Sequence, residues 1–223
     1  MLPYPAIVSL LSSSRLSVFS PATAVLAAVL GLAAAPASRA QQLQGGVRAG
    51  GNISSGVGAD ARNSSLLLGY HGGLTGRLAF TQRWSVHPEA LYTLKGDRTL
   101  AYGPSVQARL GYLEMLLLPR FTLDEAFVEA GPYAAVLLHH HYHDAALQLP
   151  GITPFRRVDY GLALGIGYQD PGGLSLSWRY VAGVNNLYRP VDFSGVIEQV
   201  RMRNGTLQFT FGYLLPWTLG SVK

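Results

Sequence analysis

The most chemically loaded run in the sequence is His139-His140-His141-Tyr142-His143-Asp144. Side chains alternate between faces along extended backbone, so His139, His141 and His143 share one side. Three imidazoles so spaced, with Asp144 adjacent, form a donor set that Zn²⁺, Ni²⁺ or Cu²⁺ accepts. The stronger reading of the tract is a histidine-rich loop that takes up metal weakly and without selection. Elsewhere the needs of catalysis are thinly met. His71 and Thr75 lie on one strand face with Ser175 and Ser177 as candidate neighbours, but no Gly-x-Ser-x-Gly elbow presents a nucleophile. Gly45-Gly46, Gly50-Gly51 and Gly72-Gly73 do not lead into the Gly-Lys ending of a phosphate loop. The absence of cysteine removes thiolate nucleophiles, disulfides and cysteine-ligated zinc or iron–sulfur sites. No catalysis and no cofactor are expected.

The elements that would position these residues follow from composition and periodicity. The 223-residue chain is 48% apolar and only 13% charged, against about 25% charged in a soluble domain. Part of the imbalance lies at the start. Residues 22–35 (ATAVLAAVLGLAAA) are uncharged, Arg15 precedes them, and a small-residue flank ends at Ala40. That is the form of a secretory signal peptide. Residues 1–40 are therefore expected to be cleaved, leaving 41–223 as one domain. That domain carries fifteen basic and twelve acidic residues, a net charge of +3, with no Lys/Arg track. Nucleic-acid binding is not expected. No later stretch reaches 18 apolar residues, because Glu114 interrupts the richest one, residues 110–119. A helical membrane protein is excluded.

What recurs instead is alternation of period two, the mark of strands. Val158, Tyr160, Leu162, Leu164, Ile166 and Tyr168 face one way; Asp159, Gly161, Ala163, Gly165 and Gly167 face the other. The spacing predicts eight strands, near 43–53, 65–80, 84–95, 104–119, 126–138, 157–168, 173–184 and 204–216. Short and long connections alternate, as in an up-and-down meander. An open sheet facing lipid would leave backbone groups unpaired at several kcal/mol each, so the sheet must close. The expected fold is all-β: an eight-stranded antiparallel up-and-down transmembrane β-barrel. Both termini then fall at the short-turn end, which is periplasmic in outer-membrane barrels.

The large apolar side chains are assigned to lipid, and the small and ionic ones to a narrow lumen that side chains nearly fill. The lumen would hold Arg48, Arg77, Arg109 and Arg179 against Glu89, Glu129 and Asp159, with His71, His87 and Lys95 nearby. Glu114 joins them only if a bulge separates its phase from that of Arg109. The set is read as a structural network of paired charge. Phe80, Trp84, Tyr168, Tyr213 and Trp217 gather near the short-turn ends, and Tyr102 and Tyr188 near the outer ends. Such aromatic girdles sit at membrane interfaces.

Residues 46–55 (GVRAGGNISS) and 87–96 (HPEALYTLKG) resemble the first and third strands of the PorT-like family of outer-membrane β-barrel proteins. Tyr112-Leu113-Glu114-Met115, Ala130-Gly131-Pro132-Tyr133, residues 159–168, Arg179-Tyr180, residues 183–186 and Gly212-Tyr213 continue the resemblance in order. Leu116 stands where that family usually has proline. The resemblance implies an eight-stranded barrel in the outer membrane of a diderm bacterium. It implies no shared catalytic residues, and a founding member that takes part in protein secretion. Expected partners are outer-membrane lipid, the barrel assembly machinery, and envelope or secretion proteins. The tail 218–223 after Trp217 departs from the aromatic ending that assembly machinery recognises. The competing reading is a soluble secreted or periplasmic β-barrel around a hydrophobic ligand, which would place the large apolar side chains inside.

Overall fold

The computed structural model describes residues 42–61, 64–99, 107–142, 155–189, 191–193, 196–198 and 201–219. The expected signal peptide, His143, Asp144 and Tyr102 lie outside the described residues. Eight long strands carry the fold: β1 (Gln42–Val57), β2 (Leu67–Ala79), β3 (Trp84–Thr99), β4 (Gln107–Leu123), β5 (Ala126–Tyr142), β6 (Val158–Gln169), β7 (Leu174–Gly183) and β8 (Arg203–Leu219). Each is antiparallel to its sequence neighbour, and β1 pairs with β8 to close the ring. Short pieces add to this frame: Ser64–Ser65 extends the pairing of β3, and Val191–Phe193 pairs with Val196–Glu198. No helix among the described residues is long and apolar enough to cross a membrane; the crossing elements are strands.

The tight connections have local causes. Asp124, between β4 and β5, sits at φ 55°, a left-handed conformation that aspartate tolerates better than most residues. At the β6–β7 turn the Asp170 carboxylate accepts the Leu174 N–H at 2.8 Å, and Gly173 takes φ 95°. Before β3, the Thr81 hydroxyl accepts the N–H groups of Arg83 and Trp84 at 3.2 and 2.9 Å. These three turns lie at one end of the barrel with both ends of the strand ladder.

Several strands run beyond the sequence expectation. β4 continues past 119 to Leu123, and β5 past 138 to Tyr142. His139–Tyr142 is thus strand rather than the start of a loop. The reason is pairing: Ala108, Arg109, Leu110 and Gly111 of β4 face Tyr142, His141, His140 and His139.

The faces divide as lipid immersion requires. Leu68, Leu74, Leu162, Leu164, Ile166 and Trp178 face outward and are exposed, Leu68 by 73%. An apolar outside is what hydrocarbon selects, and it removes the soluble-barrel alternative. The interior is less uniformly small than the alternation suggests. Leu91, Leu110, Tyr112, Leu116, Leu118 and Tyr133 are buried inside, all from β3–β5. Small residues oppose or flank them. A Cβ on Gly161 of β6 would approach Tyr133 Cε1 to 2.9 Å, and one on Gly167 would come equally near Phe127 Cε1. Large side chains from one wall fill the space that glycines on the adjoining wall leave.

Candidate functional site

The lumen is the only place where the fold gathers buried charge among the described residues. Strand alternation sends Arg48 inward from β1, Glu89 from β3, Arg120 from β4, Glu129 from β5 and Arg179 from β7. They join end to end. Arg48 pairs with Glu89; Arg179 reaches Glu89 at 2.8 Å and Glu129 at 2.6 Å; Arg120 closes on Glu129 at 2.7 Å. Hydroxyl and amide groups take remaining donors: Arg48 donates to Ser177 Oγ at 2.9 Å and Arg120 to Gln169 Oε1 at 2.8 Å. The Arg120 guanidinium also lies 3.7 Å from the Phe127 ring centre, a cation–π contact.

Nearer the long loops, Lys95 pairs with Glu114 and its ammonium stands 4.8 Å from the Tyr133 ring centre. Tyr133 and Asn204 donate to Asp159 Oδ2 at 3.1 and 2.8 Å. Four buried cations, Arg48, Lys95, Arg120 and Arg179, therefore share the interior with four buried carboxylates, Glu89, Glu114, Glu129 and Asp159. Equal numbers matter, because a buried unpaired charge costs several kcal/mol.

His71 is the hub of a separate polar brace, with Asn52 Oδ1 at 2.6 Å from Nδ1 and Thr210 Oγ1 at 2.9 Å from Nε2. Hydroxyl, imidazole and amide in this sequence have the connectivity of nucleophile, base and orienting group. All three are buried, Thr210 completely. Asn52 spends its amide N–H groups on the carbonyls of Tyr70 and Leu94 at 3.1 Å each. The arrangement ties β1, β2, β3 and β8 together. His87 shares a hydrogen bond with Ser85 at 3.1 Å. Arg77 is half-buried at the short-turn mouth, where it donates to Gln44 at 3.0 Å beside a polar cavity of about 410 Å³.

Of the eight lumenal residues expected from sequence, Arg48, His71, Arg77, Glu89, Glu129, Asp159 and Arg179 face the interior. Arg109 does not: it is exposed on the outer face. The phase conflict with Glu114 is real, and it resolves in favour of Glu114. The register shifts between Gly111 and Tyr112 because β5 carries an extra residue, Leu138. The bulge alters the phase of β5 and leaves β4 regular, so Arg109 and Glu114 stay on opposite faces. Arg120 was missed because the apolar run 110–119 set the strand boundary one residue short of it. Its separation of six from Glu114 was the usable signal, since an even separation places both on one face.

The same bulge reorients the histidines. His139 lies on the outer side, where its Nε2 meets the Tyr92 hydroxyl at 2.9 Å and the rings stack with centroids 6.1 Å apart. His141 is exposed opposite Arg109. His143, the third expected donor, is outside the described residues, and no group of three His, Asp or Glu suited to a metal occurs among the described ones. The aromatic residues Phe80, Trp84, Tyr168 and Tyr213 are exposed by 41–53% near the short-turn end. Trp84 packs on Phe121 with centroids 5.1 Å apart, and Tyr168 donates its hydroxyl to Glu125. Trp217 falls within β8.

An apolar belt around a closed ring, with paired charge sealed inside, defines a small transmembrane β-barrel. The chain belongs to the family described as the outer membrane protein beta-barrel domain, whose model matches residues 38–189. A search of curated proteins returned no match. Among solved structures, Neisserial surface protein A (NspA) is similar at 13% identity and a TM-score of 0.46, over 76% of this chain and 96% of that one. Ail of Yersinia pestis is similar at 14% identity and 0.41, over 77% and 98%. E. coli Outer Membrane Protein W is similar at 16% identity and 0.41, over 80% and 100%.

Proposed function

We propose that the protein is a closed, non-catalytic scaffold of the outer membrane that works through its loop-end surface, in envelope assembly or protein secretion. The short-turn end and both termini face the periplasm in this reading, and the long connections face outward. The observation that carries it is the ion chain Arg48–Glu89–Arg179–Glu129–Arg120, which spans the lumen from β1 to β4. Such a chain suits a plug, because moving any member exposes a partner to a low-dielectric interior. An eight-stranded barrel is also narrow enough for side chains to fill. The sequence resemblance to PorT-like proteins supports the envelope or secretion role.

Purified protein reconstituted into lipid vesicles should migrate faster on gels without boiling than with it. The vesicles should swell in sugar solutions no faster than protein-free ones. Sugar-dependent swelling would overturn the closed-plug reading. Crosslinking in intact cells, from probes placed at Arg157 or Arg189, should capture envelope proteins; probes at Arg83 should do so only after the outer membrane is opened. Capture from Arg83 in intact cells would reverse the orientation.

A further inference from the structure

Where the long-loop end rises above the apolar belt, an open cleft of about 560 Å³ is lined by Val57, Gly58, Ala59, Asn186, Arg201 and Arg203. Backbone ties hold its walls. The Arg201 N–H donates to the Asp60 carboxylate at 2.7 Å, and the Leu187 N–H donates to the Met202 carbonyl at 2.7 Å. Gly58 has φ 145°, and a Cβ there would fall on the Arg201 carbonyl oxygen. The close approach of residues 57–59 to Arg201 therefore depends on glycine. Met202 is buried in the apolar core, while Arg201 and Arg203 on either side of it are exposed.

These two arginines differ from the lumenal ones. Arg48, Arg120 and Arg179 are all ion-paired, whereas neither Arg201 nor Arg203 forms an ion pair among the described residues. The nearby carboxylate of Asp60 is engaged by a backbone N–H. Arg201, Arg203 and Asn186 thus border one open space, with Asp60 the acid close by among the described residues.

The position of the cleft indicates what would fill it. Immediately towards the short-turn end, Leu207 and Tyr180 are 38% and 47% exposed in the apolar belt. A Cβ on Gly205 would lie 2.6 Å from Val57 Cγ2 and 2.9 Å from the Tyr180 hydroxyl. A tyrosine with its ring in the belt and its hydroxyl at the upper edge marks a lipid–water interface. The cleft begins at that edge, at the depth of lipid headgroups. Guanidinium forks match the oxygens of a phosphate.

We propose that this cleft binds a phosphate group carried on a lipid headgroup, with Arg201 and Arg203 on its oxygens and the Asn186 amide donating beside them. The inference rests on the membrane-spanning barrel and not on a secretion role. The test uses the full barrel in detergent micelles and three probes: lipid A bearing its phosphates, lipid A stripped of them, and inorganic phosphate. The phosphorylated glycolipid should bind about tenfold more tightly than the stripped one, as loss of a charge-assisted contact implies. R201Q/R203Q should abolish that preference, and R83Q at the opposite end should leave it intact. Equal binding of the two glycolipids, or a preference surviving in R201Q/R203Q, would overturn the proposal. Inorganic phosphate displacing the glycolipid at equal concentration would overturn the lipid source in favour of a soluble anion. Heat-modifiable migration, measured on every variant, keeps failure of the cleft distinct from failure of the barrel.

Discussion

Towards the short turns the lumen is crossed by Arg48, Glu89, Arg179, Glu129 and Arg120. Towards the long loops it is packed with Leu110, Tyr112, Leu137, Phe155, Leu187 and Met202. The first region is held by stoichiometry: each carboxylate serves two arginines, so removing one strands the arginine at that end of the chain and leaves Arg179 with a single countercharge. The second is held largely by shape around the Lys95–Glu114 pair, and losing an apolar side chain there leaves a void rather than a charge. Two chemistries fill the same narrow tube, and each should fail in its own way.

The largest effect is expected in the ionic half. Replacing Glu129 by Gln leaves Arg120 without a countercharge and Arg179 with Glu89 alone, and should cost about 3–5 kcal/mol. Urea unfolding of the barrel in lipid would measure it, and a loss below 1 kcal/mol would mean the arginines find water instead. In the apolar half, Leu110→Ala opens a cavity at a fully buried site and should cost about 2–5 kcal/mol. The lost stability should be partly restored by a small apolar ligand that stabilises the variant and not the parent; polar solutes should not substitute. The outer face supplies a third contrast. Leu164→Arg, near the middle of β6, should cost about 2–4 kcal/mol in a bilayer, while Leu164→Ala should cost only about 1–2 kcal/mol, from the smaller apolar area it gives to lipid. If both were neutral in refolding titrations, the apolar belt would not be facing lipid. The smallest effect is expected where the two walls interlock. Gly161→Ala pushes a methyl group at Tyr133 and the Ala182 carbonyl and should cost about 1–3 kcal/mol by overpacking. Combining it with Tyr133→Phe should give nearly additive losses, because that change spares the ring that makes the contact.

The same division explains what could be read from the chain alone. Strand number, antiparallel order and the outward apolar belt follow from alternation, which is sharp in β6 and β7, where glycine or serine alternates with leucine. Most of the ion chain was legible for the same reason: Arg48, Glu89, Glu129 and Arg179 each sit on a face otherwise made of small or polar residues. β4 is different. Its inward positions include Leu110, Leu116 and Leu118, and its outward ones Leu113, Met115 and Leu117. Both faces are apolar, so periodicity carries no contrast, and the inward partner is Arg120 rather than Arg109. The bulge at Leu138 was equally hidden, since one extra residue in a histidine-rich run leaves no mark on the pattern. Nor did spacing suggest the Arg201–Arg203 cleft, which depends on three separate segments meeting.

The pairing of β1 with β8 makes the first and last strands of the domain neighbours. In the order of assembly this seam is expected last, because its two strands are the farthest apart in the chain. Bringing the ends together carries a loop-closure entropy that grows with the logarithm of the chain between them. Adjacent hairpins each close a far shorter loop. The register break between Gln44 and Gly46 lies in this seam, at the short-turn end. Zipping from the long-loop end would meet regular pairing from Val57–Arg203 down to Gly46–Leu214 before reaching the break. Until the seam closes, the half-built sheet keeps both of its edges open to pairing.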